Sequence, residues 1–211
     1  MNVLCLWMAA IVAMAVVPIS SATPPFEHLI VDGKATQVQN TTHLRVSVGP
    51  GFRLSGPHHF SKTEDNGYHF EVSLVSYVAP DAVVSVAAER LLEESALNYD
   101  DLKRGRWPDP SFLLRASGCA TMTPEQAARM PAESGMQWIL ATGFVPNGSF
   151  AFEAALLVAD DRRHEASIEL ITAVSSCDDA KAIDAALDAL RERVTVTRAA
   201  QTSAPTPPLP Q

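Results

Sequence analysis

The sequence predicts an α+β domain: an antiparallel β-sheet with a short central helix and a C-terminal helix packed on one face. Three observations carry this. Apolar stretches of strand length recur along the chain, separated by turn residues. Thr123-Pro124-Glu125-Gln126 has the chemistry of a helix start, with a capping hydroxyl, a proline that needs no amide partner in the first turn and a glutamine three residues on. Ile183, Leu187, Leu190 and Val194 recur at helical spacing and so share one face.

Taken in chain order, His43 to Val48 reads as a strand, Gly49-Pro50-Gly51 as a tight turn and Phe52 to Ser55 as a short returning strand. Tyr68 to Val78 is expected to be a half-buried strand. Tyr68, Phe70, Val72, Leu74 and Val78 share one parity, and His69, Glu71 and Ser73 the other. After the Pro80-Asp81 turn, Ala82 to Leu92 admits strand or helix, and the branched Val83, Val84 and Val86 favour strand. Asn98 to Gly118 reads as a charged irregular loop, in which Pro108 and Pro110 accompany Tyr99, Trp107 and Phe112. The helix begun at Thr123 must be short, because Pro131 and Gly135 follow.

Met136 to Val145, Phe150 to Ala159 and His164 to Ser175 then form three apolar stretches. They are joined by Pro146-Asn147-Gly148-Ser149 and Asp160-Asp161-Arg162-Arg163, which predicts an antiparallel meander. The last helix follows Cys177, with Asp178 as its expected cap. This element order resembles that of small sheet-and-helix proteins of the Mog1 and PsbP type. The resemblance rests on element order alone and implies no activity or site residues.

Residues 1–22 read as a signal peptide: an uncharged apolar run from Val3 to Val17, then Pro18 and the small residues Ser20-Ser21-Ala22. The run falls short of the roughly 20 residues that span a bilayer, so cleavage near Ala22 is expected rather than a permanent anchor. Residues 23–198 make a single globular domain, and 199–211 a proline-rich disordered tail with Pro205, Pro207, Pro208 and Pro210. The expected location is the periplasm or the secreted medium. Processing leaves Cys119 and Cys177, an even pair without metal-ligand spacing, which is expected to form a disulfide rather than a redox or nucleophilic centre.

The net charge of −8 argues against nucleic acid, whose phosphates require clustered lysine and arginine. The same sign opposes docking on anionic lipid, and no stable membrane insertion is expected after processing. Five of the six histidines, His28, His43, His58, His59 and His69, crowd the first third of the mature chain. Of these, His58, His59 and His69 are the candidate ligands for zinc or copper. Tyr99, Trp107 and Phe112 are the candidate binding aromatics. Asp100, Asp101 and Asp109 lie near Trp107 in a composition familiar from sugar sites. Asn40-Thr41-Thr42 and Asn147-Gly148-Ser149 are glycan-acceptor triplets. No Gly-x-Ser-x-Gly elbow or phosphate-cradling glycine motif occurs.

These features point first to an exported, non-enzymatic protein that binds another envelope or secreted protein, as an accessory, chaperone-like or inhibitory factor. A small-ligand or metal-binding protein using the histidine-rich segment or the Trp107 loop is the second class. A hydrolase without a recognisable motif is the third.

Overall fold

The computed structural model describes residues 28–39, 42–64, 67–129, 139–140, 142, 144 and 148–198. Among them the chain is mostly antiparallel β-sheet with two short helices. A four-stranded sheet has the order β1 (Leu29–Asp32), β2 (Ala35–Val38), β3 (Leu44–Val48), β11 (Val194–Arg198). A seven-stranded sheet runs β4 (Arg53–Thr63), β5 (His69–Val78), β6 (Ala82–Leu91), β10 (His164–Val174), β9 (Gly148–Val158), β8 (Leu113–Met122), β7 (Lys103–Arg104). Helix α1 is Pro124–Ala127 and α2 is Ala180–Arg191. The signal segment, the proline-rich tail, Asn40 and Asn147 lie outside the described residues.

Side chains alternate across a strand, so each strand of the large sheet serves two environments. On the inner face, Val75, Tyr77, Val84, Val86, Ile168 and Leu170 pack against Val38, Leu44 and Val46 of the small sheet and against Leu187 and Leu190 of α2. Arg191 of α2 is ion-paired with Glu153 of β9, which holds the helix to the sheet. On the outer face, Phe70, Val72, Leu74, Ala87 and Leu91 cluster with Leu97. Val78, Val83, Phe150 and Ile171 cluster there with Ile139 and Phe144. Burial on both sides explains why Ala82–Leu91 reads ambiguously in sequence: a strand at the centre of a doubly covered sheet loses its alternation.

Several expectations are corrected. The Gly49–Gly51 turn does not make a hairpin: β3 pairs with β2 and β11, whereas β4 pairs with β5. Gly51, at φ +89°, turns the chain from one sheet to the other in a conformation open to glycine. Strand β4 runs on to Thr63, and β5 is buried on both faces rather than half-buried. The irregular loop ends earlier than expected, at β8, whose Ala116-Ser117-Gly118 segment has little strand propensity and so concealed it.

Strand β8 then takes the place expected for Met136–Val145 beside β9. Ile139 and Leu140 are helical, and the rest of that stretch, Trp138 included, lies largely outside the described residues. Helix α1 has the expected reciprocal cap between Thr123 and Gln126. For α2 the cap is Asp179, which accepts from the amides of Lys181 and Ala182, while Asp178 bonds Ser176. Val194 belongs to β11, not to the helix, and β1 and β2 were not expected at all. Cys119 of β8 is bonded to Cys177, with their Cα atoms 5.5 Å apart.

Candidate functional site

Polar residues occupy the centre of the outer face, where the two middle strands would ordinarily be apolar. Glu89, Ala87 and Ser85 of β6 stand opposite Glu165, Ser167 and Glu169 of β10. Glu89 is 4% exposed and Glu165 1%. Burying carboxylates is costly unless cations accompany them.

The cations come from the flanks. Lys62 of β4 reaches across the Phe70 ring and places Nζ 2.7 Å from Glu89 Oε2 and 2.9 Å from Glu64 Oε1. Arg115 of β8, at the register shift between Leu114 and Ala116, lies 2.8 Å from Glu64, 3.4 Å from Glu89 and 3.5 Å from Glu165. A bulge of this kind re-aims one side chain out of the pleat, and here it turns Arg115 onto the outer face. Ser167 Oγ donates to Glu89 Oε1 at 3.2 Å, and the Tyr99 hydroxyl donates to Glu165 Oε1.

The Glu64–Arg115 contact also reports the shape of the sheet. In strand order β4 and β8 are five spacings apart, about 24 Å in a flat sheet at 4.8 Å per strand. Two side chains cannot bridge that distance. The sheet is therefore coiled until its flanks meet over the outer face, as sheets do when they approach closure around a small cavity.

Inside the cup is a cavity of about 320 Å³. Phe60, Val72 and Leu74 line one side, and Glu89, Arg115, Ser167 and Glu169 the other. An apolar hollow of about 370 Å³, lined by Ala116, Ala120, Met122, Phe150 and Phe152, borders the same Glu169. Among the described residues the Glu169 carboxyl makes no hydrogen bond and no ion pair within 4.0 Å, although the charges of Arg115 and Lys62 reach it from farther away.

Proton affinities follow from this arrangement. Burial alone would raise Glu89, but the charges of Lys62 and Arg115 outweigh it and hold the carboxyl at about 2. Burial and the neighbouring Glu89 push Glu165 up to about 7. Glu169 is raised by burial and then by Glu89. Tyr99 is raised by burial and by Glu165. Burial lowers Lys62, yet Glu89 more than restores it, so the ammonium is charged.

No protein-family model matches this chain, and no curated protein or solved structure matches it. Glu89 is paired with Lys62 and Arg115, and Glu165 accepts from the Tyr99 hydroxyl. The cup has a polar, charged wall on one side and an apolar hollow on the other.

The residues singled out in the sequence are distributed differently. His58 and His59 are neighbours on β4 and therefore point to opposite faces. His59 is hydrogen-bonded to Ser73 at 2.8 Å, and His69 is paired with Glu93 at 2.7 Å. Among the described residues no three histidine, cysteine or acidic groups gather as a metal site. Of the aromatics, Tyr99 reaches the polar network, Phe112 is fully buried in the inner-face core, and Trp107 packs against that core. Asp100 is paired with Arg162, and Asp109 with the amide of Ser111.

Sequence reasoning missed Lys62, Glu89, Arg115, Glu165 and Glu169. A signal was present: Glu165 and Glu169 share one parity inside an otherwise apolar strand.

Proposed function

We propose that this protein is exported and binds a small ligand in the cup formed by the outer face of its seven-stranded sheet. The observation that carries the proposal is the Glu64–Arg115 bridge, which joins the flanks over a cavity with a charged wall and an adjoining apolar hollow. Ligand sites have this composition, mainly apolar with a few polar groups that orient the occupant. The Cys119–Cys177 bond is compatible with an oxidising compartment, and cleavage near Ala22 with release to periplasm or medium belongs to the same proposal. So does the likeness to Mog1- and PsbP-type proteins, which rests on element order alone.

Recognition of another envelope or secreted protein is the second reading. Its support is the exposure of Ile30, Leu54 and Leu92, although these lie on separate elements. The edge strand β4 carries Pro57 and a register shift between Ser55 and His58, features that blunt an edge against strand addition.

The test is a thermal-shift screen of cationic, anionic, neutral polar and apolar small molecules on the natural protein and on Ala116→Trp. Ala116 is exposed and lines the hollow, so an indole there fills it without entering the core. At least one chemical class should stabilise the natural protein and not the variant. A flat response across the panel, with capture of one specific envelope protein, transfers the function to the second reading.

A further inference from the structure

We infer that the ligand is an amphiphilic amine, with its ammonium group set against Glu169 and its apolar body in the hollow between β8 and β9. This rests on the proposed ligand site and names the class of molecule that fits it.

The charges of the cup do not divide evenly. Lys62 and Arg115 are matched by Glu64 and Glu89, and Arg115 serves Glu165 as well. Glu169 is the carboxyl left over, and among the described residues it has no hydrogen-bond or ion-pair partner. Its register neighbours are small, Ser85 on β6 and Ala154 on β9, which leaves room above the carboxyl. Arg115 and Lys62 act on Glu169 only from beyond ion-pair distance, so an incoming cation would supply the direct charge partner that the described residues do not, in a partly desolvated setting where such a pair is strong.

A bare metal ion fits poorly, because no three of the described histidine, cysteine or acidic groups are placed to hold one, and the carboxylates nearest one another already share Arg115. An anionic head would meet Glu169 and Glu89 together. The apolar body follows from the surroundings: beyond Glu169 the wall is mainly Ala116, Met122, Phe150 and Phe152, and the other charged residue of the lining, Glu153, is ion-paired with Arg191.

The experiment is isothermal calorimetry with 2-phenylethylamine, 2-phenylethanol and 3-phenylpropionate, which share an aryl body and differ in head group. Each is titrated into the natural protein, Glu169→Gln and Ala116→Trp, all verified as folded by circular dichroism. The amine should bind saturably to the natural protein, the acid should not, and Glu169→Gln should weaken the amine by about tenfold or more while shifting the alcohol little. Ala116→Trp should abolish amine binding. Equal affinity for amine and acid, or an unchanged amine affinity in Glu169→Gln, overturns the inference. If a neutral or acidic compound binds and Ala116→Trp blocks it, the amine inference fails and the ligand site stands. If neither these compounds nor the wider panel binds, both fail.

Discussion

Glu89 and Glu165 face each other directly across β6 and β10, yet they stand at opposite ends of the carboxyl range. Glu89 takes both Lys62 and Arg115 within reach, whereas Glu165 meets Arg115 at 3.5 Å and accepts from the Tyr99 hydroxyl. Since one cannot titrate without changing the other, their proton release belongs to the pair.

Stability should therefore have a mildly acidic optimum. Glu165 is raised from 4.5 to about 7, so between those values the native state holds more protons than the unfolded chain and stability falls as pH rises. Glu89 is depressed from 4.5 to about 2, so its contribution is complete above 4.5 and is lost as pH falls through about 2. Each effect is bounded at about 3 kcal/mol. Urea unfolding of the natural protein and Glu165→Gln over this range should show a shallower alkaline decline in the variant. Parallel curves would remove Glu165 as the cause.

Arg115→Met should cost roughly 3 to 5 kcal/mol, because it strands buried carboxylates and unfastens the two flanks of the sheet. Arg115→Lys should recover only part of this, since one ammonium cannot span three acceptors. The measurement is the urea midpoint with its slope.

Tyr99 and Phe112 belong to the same connecting region and should respond differently. Phe112→Ala removes a fully buried ring and should cost roughly 3 to 5 kcal/mol with no selective effect on ligands. Tyr99→Phe deletes the donor to Glu165 and should cost about 1 to 3 kcal/mol while altering the pH profile. Equilibrium unfolding at two pH values separates them.

Breaking the Cys119–Cys177 bond by double serine substitution should cost roughly 2 to 5 kcal/mol, consistent with about 4 kcal/mol for closing a loop of 58 residue steps. Ligand binding in the cup should survive at low temperature, because the bond joins the end of β8 to the entrance of α2 rather than to the site.

At the start of α2, Asp179→Ala should lose about 1 kcal/mol and Asp178→Ala close to none. Thermal midpoints of the two single variants decide between the caps. Adjacent aspartates carry the same capping chemistry, and only the backbone shows which carboxyl meets the amides of Lys181 and Ala182.

Local signals were legible where one residue type has one physical use. The Thr123–Gln126 cap, the turn at Pro80-Asp81, the β9–β10 hairpin and the Ile183–Leu190 stripe all depend on neighbours within a few positions. Strand β8 is hidden in the sequence because Ala116, Ser117 and Gly118 carry little strand propensity, and at Gly118 the small residue answers to Phe152, whose ring lies 3.1 Å from where a side chain would begin. β1 and β2 were missed because four-residue strands carry too little pattern to be distinguished from turns.

Alternation, capping chemistry and cysteine count were enough to specify an antiparallel, helix-backed domain closed by a sulfur bridge, since each acts along the chain over short range. The cup was decided elsewhere. Lys62, Glu64, Glu89, Arg115 and Glu165 are spread over five elements or connections, and no spacing relates them. Coiling of the sheet brings them together, because only at that curvature can the buried carboxylates of the central strands meet cations from both flanks.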